Sequence, residues 1–227
     1  MEVSVIIPAR NEENYIIPTL ESVSKNLQGI AGETIVVCDS CTDKTVELVK
    51  GYHDIKLFTI DARKPGVAKN TGATYAHGKY LIFLDADTLL SSSAVKDIVS
   101  CLRQEEAFGS LWVKPNPATV AARFIMLWKN LAFTTGMYPG TNGIIFCTRS
   151  LFDKVAGFDS SLYSREDGDF SSKASNAAPY RYIRSSHVIT SMRRFQQKGY
   201  LSVITYWIQV YIKHMLGKKD GEYEVVR

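Results

Sequence analysis

Strand-like and helix-like segments alternate through the first 103 residues, and this alternation restricts the fold more than any other feature of the sequence. The predicted strands are residues 3–8, 34–38, 55–60 and 80–84, and the predicted helices are residues 15–27, 43–50, 66–76 and 92–103. Repeated strand–helix units of this length are typical of a parallel sheet covered by helices on both faces. Because ligands bind beyond the carboxyl ends of such strands, functional side chains are expected just after each strand.

The second half of the chain is less regular. It predicts strands at residues 108–114 and 143–148, a long helix at 118–133, a short helix at 150–156, and then a polar loop through Asp169. One broad face of the long helix is apolar and carries Val120, Phe124, Leu127, Trp128 and Leu131. Because no linker, repeat or low-complexity tract interrupts the sequence, we expect a single compact domain.

Composition places the chain among soluble globular proteins, with 45% apolar and 22% charged residues. A formal net charge of +4 is too small to indicate nucleic-acid binding, and it is compatible with an anionic small substrate or an anionic membrane surface. The chain opens directly into a predicted strand, without the regions of a signal peptide. We therefore expect a cytoplasmic protein, and the four scattered cysteines fit reduced thiols.

Asp85 and Asp87 stand one residue apart directly after the fourth predicted strand. A buried strand would carry both carboxylates to the edge of the sheet where ligands bind. Carboxylate oxygens suit Mg²⁺ or Mn²⁺, which keep positions open for water and phosphate oxygens. The pair therefore predicts a divalent-metal site, and the alternative is that the two acids only cap the helix that begins near Ser92.

Three polar segments accompany this pair in similar positions around the strands. They are Pro8-Ala9-Arg10-Asn11-Glu12-Glu13, Asp39-Ser40-Cys41-Thr42-Asp43-Lys44-Thr45 and Gly66-Val67-Ala68-Lys69-Asn70-Thr71-Gly72-Ala73. Together with Asp85-Ala86-Asp87 they closely resemble, in order, four motifs of the inverting glycosyltransferases of family 2. The resemblance implies an α/β, GT-A-like and Rossmann-related fold with a mostly parallel central sheet flanked by helices. It also implies a donor-binding half over residues 1–115, and an acceptor-binding half with a C-terminal helical extension over residues 116–227.

Donor recognition is expected at the ends of the first strands. Asp39, expected to be exposed at the end of the second strand, suits the N–H of a nucleobase, either uracil or guanine, so a UDP-type or a GDP-type sugar donor is expected. Pro8, Arg10 and Glu12 would flank the base and ribose, while Lys69 or Arg63 would meet the diphosphate. Each basic residue has an alternative interpretation as part of a solvated helix face, and the segment 42–45 has one as a helix N-cap.

Acceptor chemistry is expected at Glu166-Asp167-Gly168-Asp169. Inverting transfer needs a carboxylate that takes the proton from the acceptor hydroxyl. The resemblance implies that Asp167 is this base, with Glu166 as its competitor and Asp169 as a third candidate. The alternative interpretation is an acidic helix N-terminus. The chain lacks the Q-x-x-R-W motif of many polymerising members and has Ser191-Met192-Arg193-Arg194-Phe195-Gln196 in its place, which argues against a processive synthase. Arg193 or Arg194 would contact the diphosphate or lie on a membrane-facing surface.

The C-terminal stretch of residues 201–212 is mostly apolar but shorter than the roughly twenty residues that cross a bilayer. Basic residues flank it at Lys198, Lys213, His214, Lys218 and Lys219. Three alternatives stay open: a core helix, an interfacial helix in peripheral contact with the inner face of the membrane near a lipid-linked acceptor, or a dimer contact. The oligomeric state is equally open.

The predicted function is metal-dependent transfer of a sugar, with inversion, from a nucleoside-diphosphate donor to an acceptor hydroxyl or lipid phosphate. A sugar-phosphate nucleotidyltransferase is one alternative, but it would be expected to have a glycine-rich loop after the first strand. A catalytically inactive nucleotide-sugar-binding protein is another. The C-x-x-C segment Cys38-Asp39-Ser40-Cys41 could also form a redox dithiol, although its position in the donor loop favours binding.

Overall fold

The computed structural model describes residues 1–135, 141, 143–200, 202–203 and 205 of the 227-residue chain. Within these residues a central eight-stranded sheet is flanked by helices. The strands are β1 (Val3–Ala9), β2 (Gly32–Asp39), β3 (Ile55–Ile60), β4 (Tyr80–Leu84), β5 (Thr88–Leu90), β6 (Phe108–Asn116), β7 (Ile144–Thr148) and β8 (Tyr180–Ser191). The helices are α1 (Ile16–Leu27), α2 (Thr45–Lys50), α3 (Pro65–Tyr75), α4 (Ala94–Gln104), α5 (Val120–Thr134), α6 (Arg149–Lys154), α7 (Glu166–Ser175) and α8 (Arg193–Lys198).

The sheet has the strand order β3-β2-β1-β4-β7-β6-β8-β5. β1 runs parallel to β2 and β4, and β2 runs parallel to β3, which confirms the parallel arrangement predicted from the first half of the sequence. β7 is antiparallel to β4 and β6, β5 is antiparallel to β8, and β6 and β8 are parallel. The sheet is therefore parallel across its first four strands and mixed beyond them.

Apolar residues fill both sides of this sheet. On one side α1, α4 and α5 cover alternate residues of β1 such as Val5 and Ile7, and on the other side α3, α6 and α7 cover the intervening Ile6. Successive residues of a strand point to opposite faces, so a continuously apolar strand needs covering on both. This packing fixes the carboxyl ends of β1 to β4 at one edge of the sheet.

The elements predicted up to residue 156 agree with the observed ones to within two residues at each end, but β5, β8 and α8 were not predicted. β8 lacks a clean alternation of buried and exposed residues, because it is interrupted by a register shift opposite Leu111 and Trp112. The expected polar loop through Asp169 is also wrong, since α7 begins at Glu166. Its acidic opening resembles a loop in composition, although acidic residues stabilise a helix N-terminus.

The predicted C-terminal stretch, residues 201–212, lies almost wholly outside the described residues. Just before it, α8 ends at Lys198, and Val203, one of the few described residues within it, packs in the core. No helix in the described part of the chain is long and apolar enough to cross a membrane.

Candidate active site

The backbone turns sharply where the chain leaves the first three strands. Asn11, Ser40 and Arg63 have φ angles of 57°, 54° and 55°, in the left-handed region that residues other than glycine seldom adopt. Arg165, directly before α7, has a φ of 63°. Backbone strain of this kind clusters at functional sites, and here it occurs in the segments that contain most of the predicted site residues.

Asp39 ends β2 with both carboxylate oxygens bound by the loop after β3. Its Oδ1 accepts hydrogen bonds from the backbone N–H groups of Ala62 and Arg63, at 2.8 Å each, and its Oδ2 accepts one from Lys64 at 2.9 Å. Asp39 is only 4% exposed, so the expectation of an exposed carboxylate at this position is wrong. The three backbone hydrogen bonds order the loop. Ser40 Oγ also lies 3.0 Å from Oδ1, but its single proton has a shorter contact with Asp61 Oδ1 at 2.6 Å. Oδ2, which has one donor, can therefore accept one further hydrogen bond.

The loop after β1 is tied to the loop after β2. Asn11 Oδ1 accepts from the backbone N–H of Thr42 at 2.7 Å, and the Glu12 N–H donates to Thr45 Oγ1 at 2.8 Å. Arg10 Nε and Asn11 Nδ2 are buried, and neither has a hydrogen-bond partner among the described residues. Since buried donors without a partner are costly, these two N–H groups fit an oxygen-rich ligand.

Asp43 caps the first turn of α2. Its Oδ1 accepts from the backbone N–H of Thr45 at 3.0 Å and from the Thr45 hydroxyl at 2.6 Å. Burial would raise the pKa of Asp43, but these hydrogen bonds outweigh burial and lower it. Asp43 therefore binds the first residue of α2, while the N-cap position itself is Lys44, which makes no side-chain cap hydrogen bond.

Asp85 and Asp87 lie in the turn between β4 and β5. The Asp85 N–H donates to the Gly143 carbonyl oxygen at 2.8 Å, and the Thr88 N–H donates to the Asp85 carbonyl oxygen at 3.1 Å. Burial raises the pKa of Asp85 to about 7, against the opposing effect of nearby Lys69. Burial also raises the pKa of Asp87. A divalent cation would offset this cost by neutralising both carboxylates, so the pair fits the predicted metal.

The described residues contain no group of three or more His, Cys, Asp and Glu side chains arranged to hold a metal ion. Two carboxylates are a normal protein contribution for Mg²⁺, which is usually bound by one or two of them together with water and substrate phosphates. The two carboxylates at this edge would therefore hold a metal only together with water or a phosphate ligand.

Arg193 joins the start of α8 to the aspartate pair. Its guanidinium makes two hydrogen bonds to Glu12, at 2.7 and 2.5 Å, and lies 3.3 Å from Asp87 Oδ2. The Tyr15 ring covers the guanidinium, with its centroid 4.7 Å from Cζ. Arg193 was predicted to face a diphosphate or a membrane, and nothing in the sequence indicated its pairing with a residue 181 positions earlier.

Lys69 lies inside an acidic cluster. Its Nζ donates to Glu166 Oε1 at 2.7 Å and to Asp167 Oδ1 at 2.5 Å. Burial alone would lower the pKa of Lys69, but the charges of Asp167, Glu166 and Asp85 outweigh burial and raise it. The structure therefore pairs Lys69 with two carboxylates of the predicted acceptor side, whereas it was predicted to be a cation facing the diphosphate.

Asp167 is the more accessible of the two carboxylates, with a side chain 28% exposed against 11% for Glu166. Its second oxygen accepts from Thr141 Oγ1 at 3.3 Å. Burial raises the pKa of Glu166, although Lys69 counteracts this. No sequence signal pointed to Thr141, since a single threonine in a loop has no distinguishing pattern.

The other predicted site residues lie further from this cluster. Asp169 forms an i,i+4 ion pair with Lys173 at 2.9 Å, and Arg63 lies at the surface 3.9 Å from Asp61. Pro8 is part of β1 beside Val37 of β2. The cluster that the structure brings together has two groups, Lys69 with Glu166, Asp167 and Asp85, and Arg193 with Glu12 and Asp87.

Solved structures share this fold. The chain superposes on S. aureus TarS 1–349 in complex with UDP-GlcNAc with a TM-score of 0.68, at 22% identity over 84% of this chain and 58% of that one. It superposes on the mannosyltransferase PcManGT from Pyrobaculum calidifontis, in complex with GDP-Man and Mn²⁺, with a TM-score of 0.67, at 18% identity over 98% of this chain and 66% of that one. The class that fold and sheet edge define is therefore the GT-A type of α/β domain.

Sequence comparison narrows this class. Residues 4–153 match the family Glycosyl transferase family 2, and the chain belongs to this family. It is 28% identical over 113 residues to the poly(ribitol-phosphate) beta-N-acetylglucosaminyltransferase TarS of Staphylococcus aureus (strain Mu50), covering 47% of this chain and 20% of TarS. It is 31% identical over 184 residues to the probable glycosyltransferase YdaM of Bacillus subtilis (strain 168), covering 70% of this chain and 43% of YdaM. The matched region thus spans less than half the length of either relative.

Proposed function

We propose that this protein transfers a sugar, with inversion, from a nucleoside-diphosphate sugar to an acceptor hydroxyl or lipid phosphate, with help from a divalent metal. The observation that carries the proposal is the meeting of two acidic pairs at one sheet edge. Lys69 binds Glu166 and Asp167 and lies near Asp85, and Asp87, which follows Asp85 by two residues, lies beside Arg193. Membership of the family supports sugar transfer, and the relatives that bind UDP-GlcNAc and GDP-Man support a nucleotide-sugar donor.

The donor would lie across the ends of β1, β2 and β4. Arg10 Nε and Asn11 Nδ2 offer buried donors that have no partner in the described part of the chain, and Asp39 Oδ2 keeps acceptor capacity for the base. Asp85 and Asp87 would hold Mg²⁺ or Mn²⁺, and the metal would supply positive charge to the diphosphate as it leaves. Arg193, 3.3 Å from Asp87 Oδ2, would supply a further positive charge at the same edge.

Asp167 would take the proton from the acceptor hydroxyl. Lys69 and Thr141 hold its carboxylate in place, and its exposure leaves room for an approaching hydroxyl. As the proton moves to Asp167, the acceptor oxygen bonds to the anomeric carbon and the bond to the diphosphate breaks on the opposite side. Glu166 is more deeply buried and would mainly fix Lys69.

A transfer assay with UDP-sugars and GDP-sugars, Mn²⁺, and both saccharide and lipid-extract acceptors tests this proposal. Asp167→Asn keeps the size of the side chain but cannot accept the proton, so we expect kcat to fall by at least about a hundredfold with donor affinity almost unchanged. Glu166→Gln and Asp169→Asn are the matched controls. The assignment moves to a control residue if that variant alone loses turnover. Full activity in all three would show that the acceptor needs no base, as an ionised lipid phosphate would not.

A further inference from the structure

The outer face of α5 is apolar and uncovered. Val120, Phe124 and Trp128 are 87%, 71% and 68% exposed, and Leu127 and Leu131 are about half exposed. These five side chains are called the α5 apolar face below. Among the described residues, the only other large exposed apolar side chains are Met1 and Tyr75. Apolar side chains gathered on one surface mark an interaction site, whereas scattered ones do not.

The helix cannot bury this face by rotating. Its opposite side is fixed to β6 by Asn130, whose Oδ1 accepts from the Val113 N–H at 3.0 Å and whose Nδ2 donates to the Val113 carbonyl at 2.9 Å. Ala122 and Met126 on the same inner side belong to the core. Both sides of α5 are therefore apolar, and the inner one already has its partner.

The segment that carries the face is basic. No Asp or Glu occurs between Glu106 and Asp153, and the part of this stretch around α5 includes Lys114, Arg123 and Lys129. Arg123 is exposed on α5 itself, and Lys114 is exposed near the end of β6. The segment therefore has large exposed apolar side chains and exposed cations, and it has no carboxylates. Such a surface complements a partner that combines an apolar interior with negative charge at its surface.

We propose that the α5 apolar face docks onto an anionic lipid bilayer, with α5 lying in the plane of the membrane interface. The helix has 15 residues, or roughly 22 Å at 1.5 Å per residue, so it is too short to span the membrane and long enough to lie along it. Trp128 and Phe124 are the side chain types that enter the headgroup region, with Arg123 among the phosphates.

Two further contacts support a membrane on this side. Tyr200 OH lies 2.9 Å from Thr119 Oγ1 at the start of α5. Tyr200, the last described residue before the apolar sequence 201–212, therefore lies at the start of α5. Thr141, which contacts Asp167, follows the last residue of α5, Thr134, by seven positions. Because seven residues span at most roughly 25 Å, Thr141 lies within that distance of the end of α5.

Vesicle co-sedimentation of the full chain tests the proposal. We expect binding to phosphatidylglycerol–phosphatidylcholine vesicles and much weaker binding to pure phosphatidylcholine. The double variant Phe124→Ser/Trp128→Ser should lose at least about tenfold in partitioning, because two large apolar side chains no longer enter the interface. Brominated lipid should quench a component of the tryptophan emission that is missing in Trp128→Phe.

Tyr75→Ser is the matched control, since it removes an exposed aromatic side chain that stacks on Phe58 away from α5. It should bind vesicles like the parent. The proposal is overturned if the parent does not bind anionic vesicles, or binds neutral vesicles equally well. It is also overturned if the double variant binds anionic vesicles as well as the parent does. It is also overturned if the double variant dissociates a dimer in sedimentation velocity, or lowers Tm by several degrees, because either result means that protein already covers the face.

Discussion

Lys69 is the residue on which the two halves of the candidate site converge. It comes from α3, in the first half of the sequence, and neutralises Glu166 and Asp167 from α7 in the second. The sequence identified the segment around Lys69 as a functional motif, but it did not indicate that Lys69 pairs with Glu166 and Asp167. Pairing between residues almost a hundred positions apart depends on how α3 and α7 pack, and neither helix carries a sequence signal for that contact.

Replacing Lys69 with methionine should leave two buried carboxylates without their cation. The pKa of Lys69 is raised, so in the parent its contribution to stability is fully present below about pH 10.5 and does not change between pH 5 and 8. In Lys69→Met the pKa of Glu166 should rise further, because burial already raises it and the charge of Lys69 is the first of the effects that lower it. A carboxyl group whose pKa is higher in the folded than in the unfolded state destabilises the fold increasingly as pH rises above its ordinary pKa of 4.5.

We therefore expect Lys69→Met to lower the free energy of unfolding by about 3–5 kcal/mol at pH 8 and by less at pH 5. Urea unfolding at both pH values measures this difference. Lys173→Met removes the more exposed i,i+4 pair with Asp169 and should cost about 1 kcal/mol or less at either pH. An equal loss at both pH values would show that Lys69 acts by packing alone.

At the scale of elements, the end of the sheet opposite the site is held by one carboxylate. Glu33 of β2 accepts from Ser4 Oγ of β1 at 2.7 Å, from Lys56 Nζ of β3 at 2.7 Å, and from the His77 N–H before β4 at 2.6 Å. Burial would raise the pKa of Glu33, but these hydrogen bonds outweigh burial and lower it to about 2. Four neighbouring segments of the parallel sheet are joined in this way.

Glu33→Gln should lower the free energy of unfolding by about 2 kcal/mol at neutral pH, the usual size for hydrogen bonds to a charged group. Because the folded pKa lies below the ordinary value of 4.5, the parent gains this stability above pH 4.5 and loses it as pH falls toward 2. Thermal melts from pH 7 to pH 2.5 should therefore converge for parent and variant. Glu105→Gln, on the exposed pair with Arg181, should change little. Parallel curves would contradict the role given to Glu33.

The elements of the first half could be predicted because their patterns are unambiguous. Continuous apolar strands and amphipathic helices alternate there, and β3 and β4 have the predicted bounds. β8 could not be predicted in the same way, because its residues are partly exposed and its pairing with β6 shifts register. The apolar face of α5 was recognised in the sequence, but only the packing of Asn130 on β6 shows that it points outward.

At the scale of the whole molecule, the site is assembled from distant parts of one chain. The positions of Asp85, Asp87 and Asp167 at the sheet edge followed from strand order and motif resemblance. The contacts of Arg193 with Glu12 and Asp87 could not be predicted from the sequence. They form because β8 pairs with β6 and places α8 beside the loops that contain these two acids. Long-range charge pairs of this kind are set by topology, which single-sequence patterns do not encode.

The central claim, that this edge holds a nucleotide together with a metal, is tested most directly by calorimetry. UDP and GDP are titrated into the parent, Asp87→Ala and the exposed control Asp54→Ala, each with Mn²⁺ and again with EDTA. We expect one nucleotide to bind the parent and the control more tightly with Mn²⁺ than with EDTA, because metal and phosphate share their ligands. We expect Asp87→Ala to keep its fold and to bind the nucleotide no more tightly with Mn²⁺ than with EDTA. Equal nucleotide affinity in parent and Asp87→Ala with Mn²⁺ present, or no effect of EDTA on the parent, would contradict the claim.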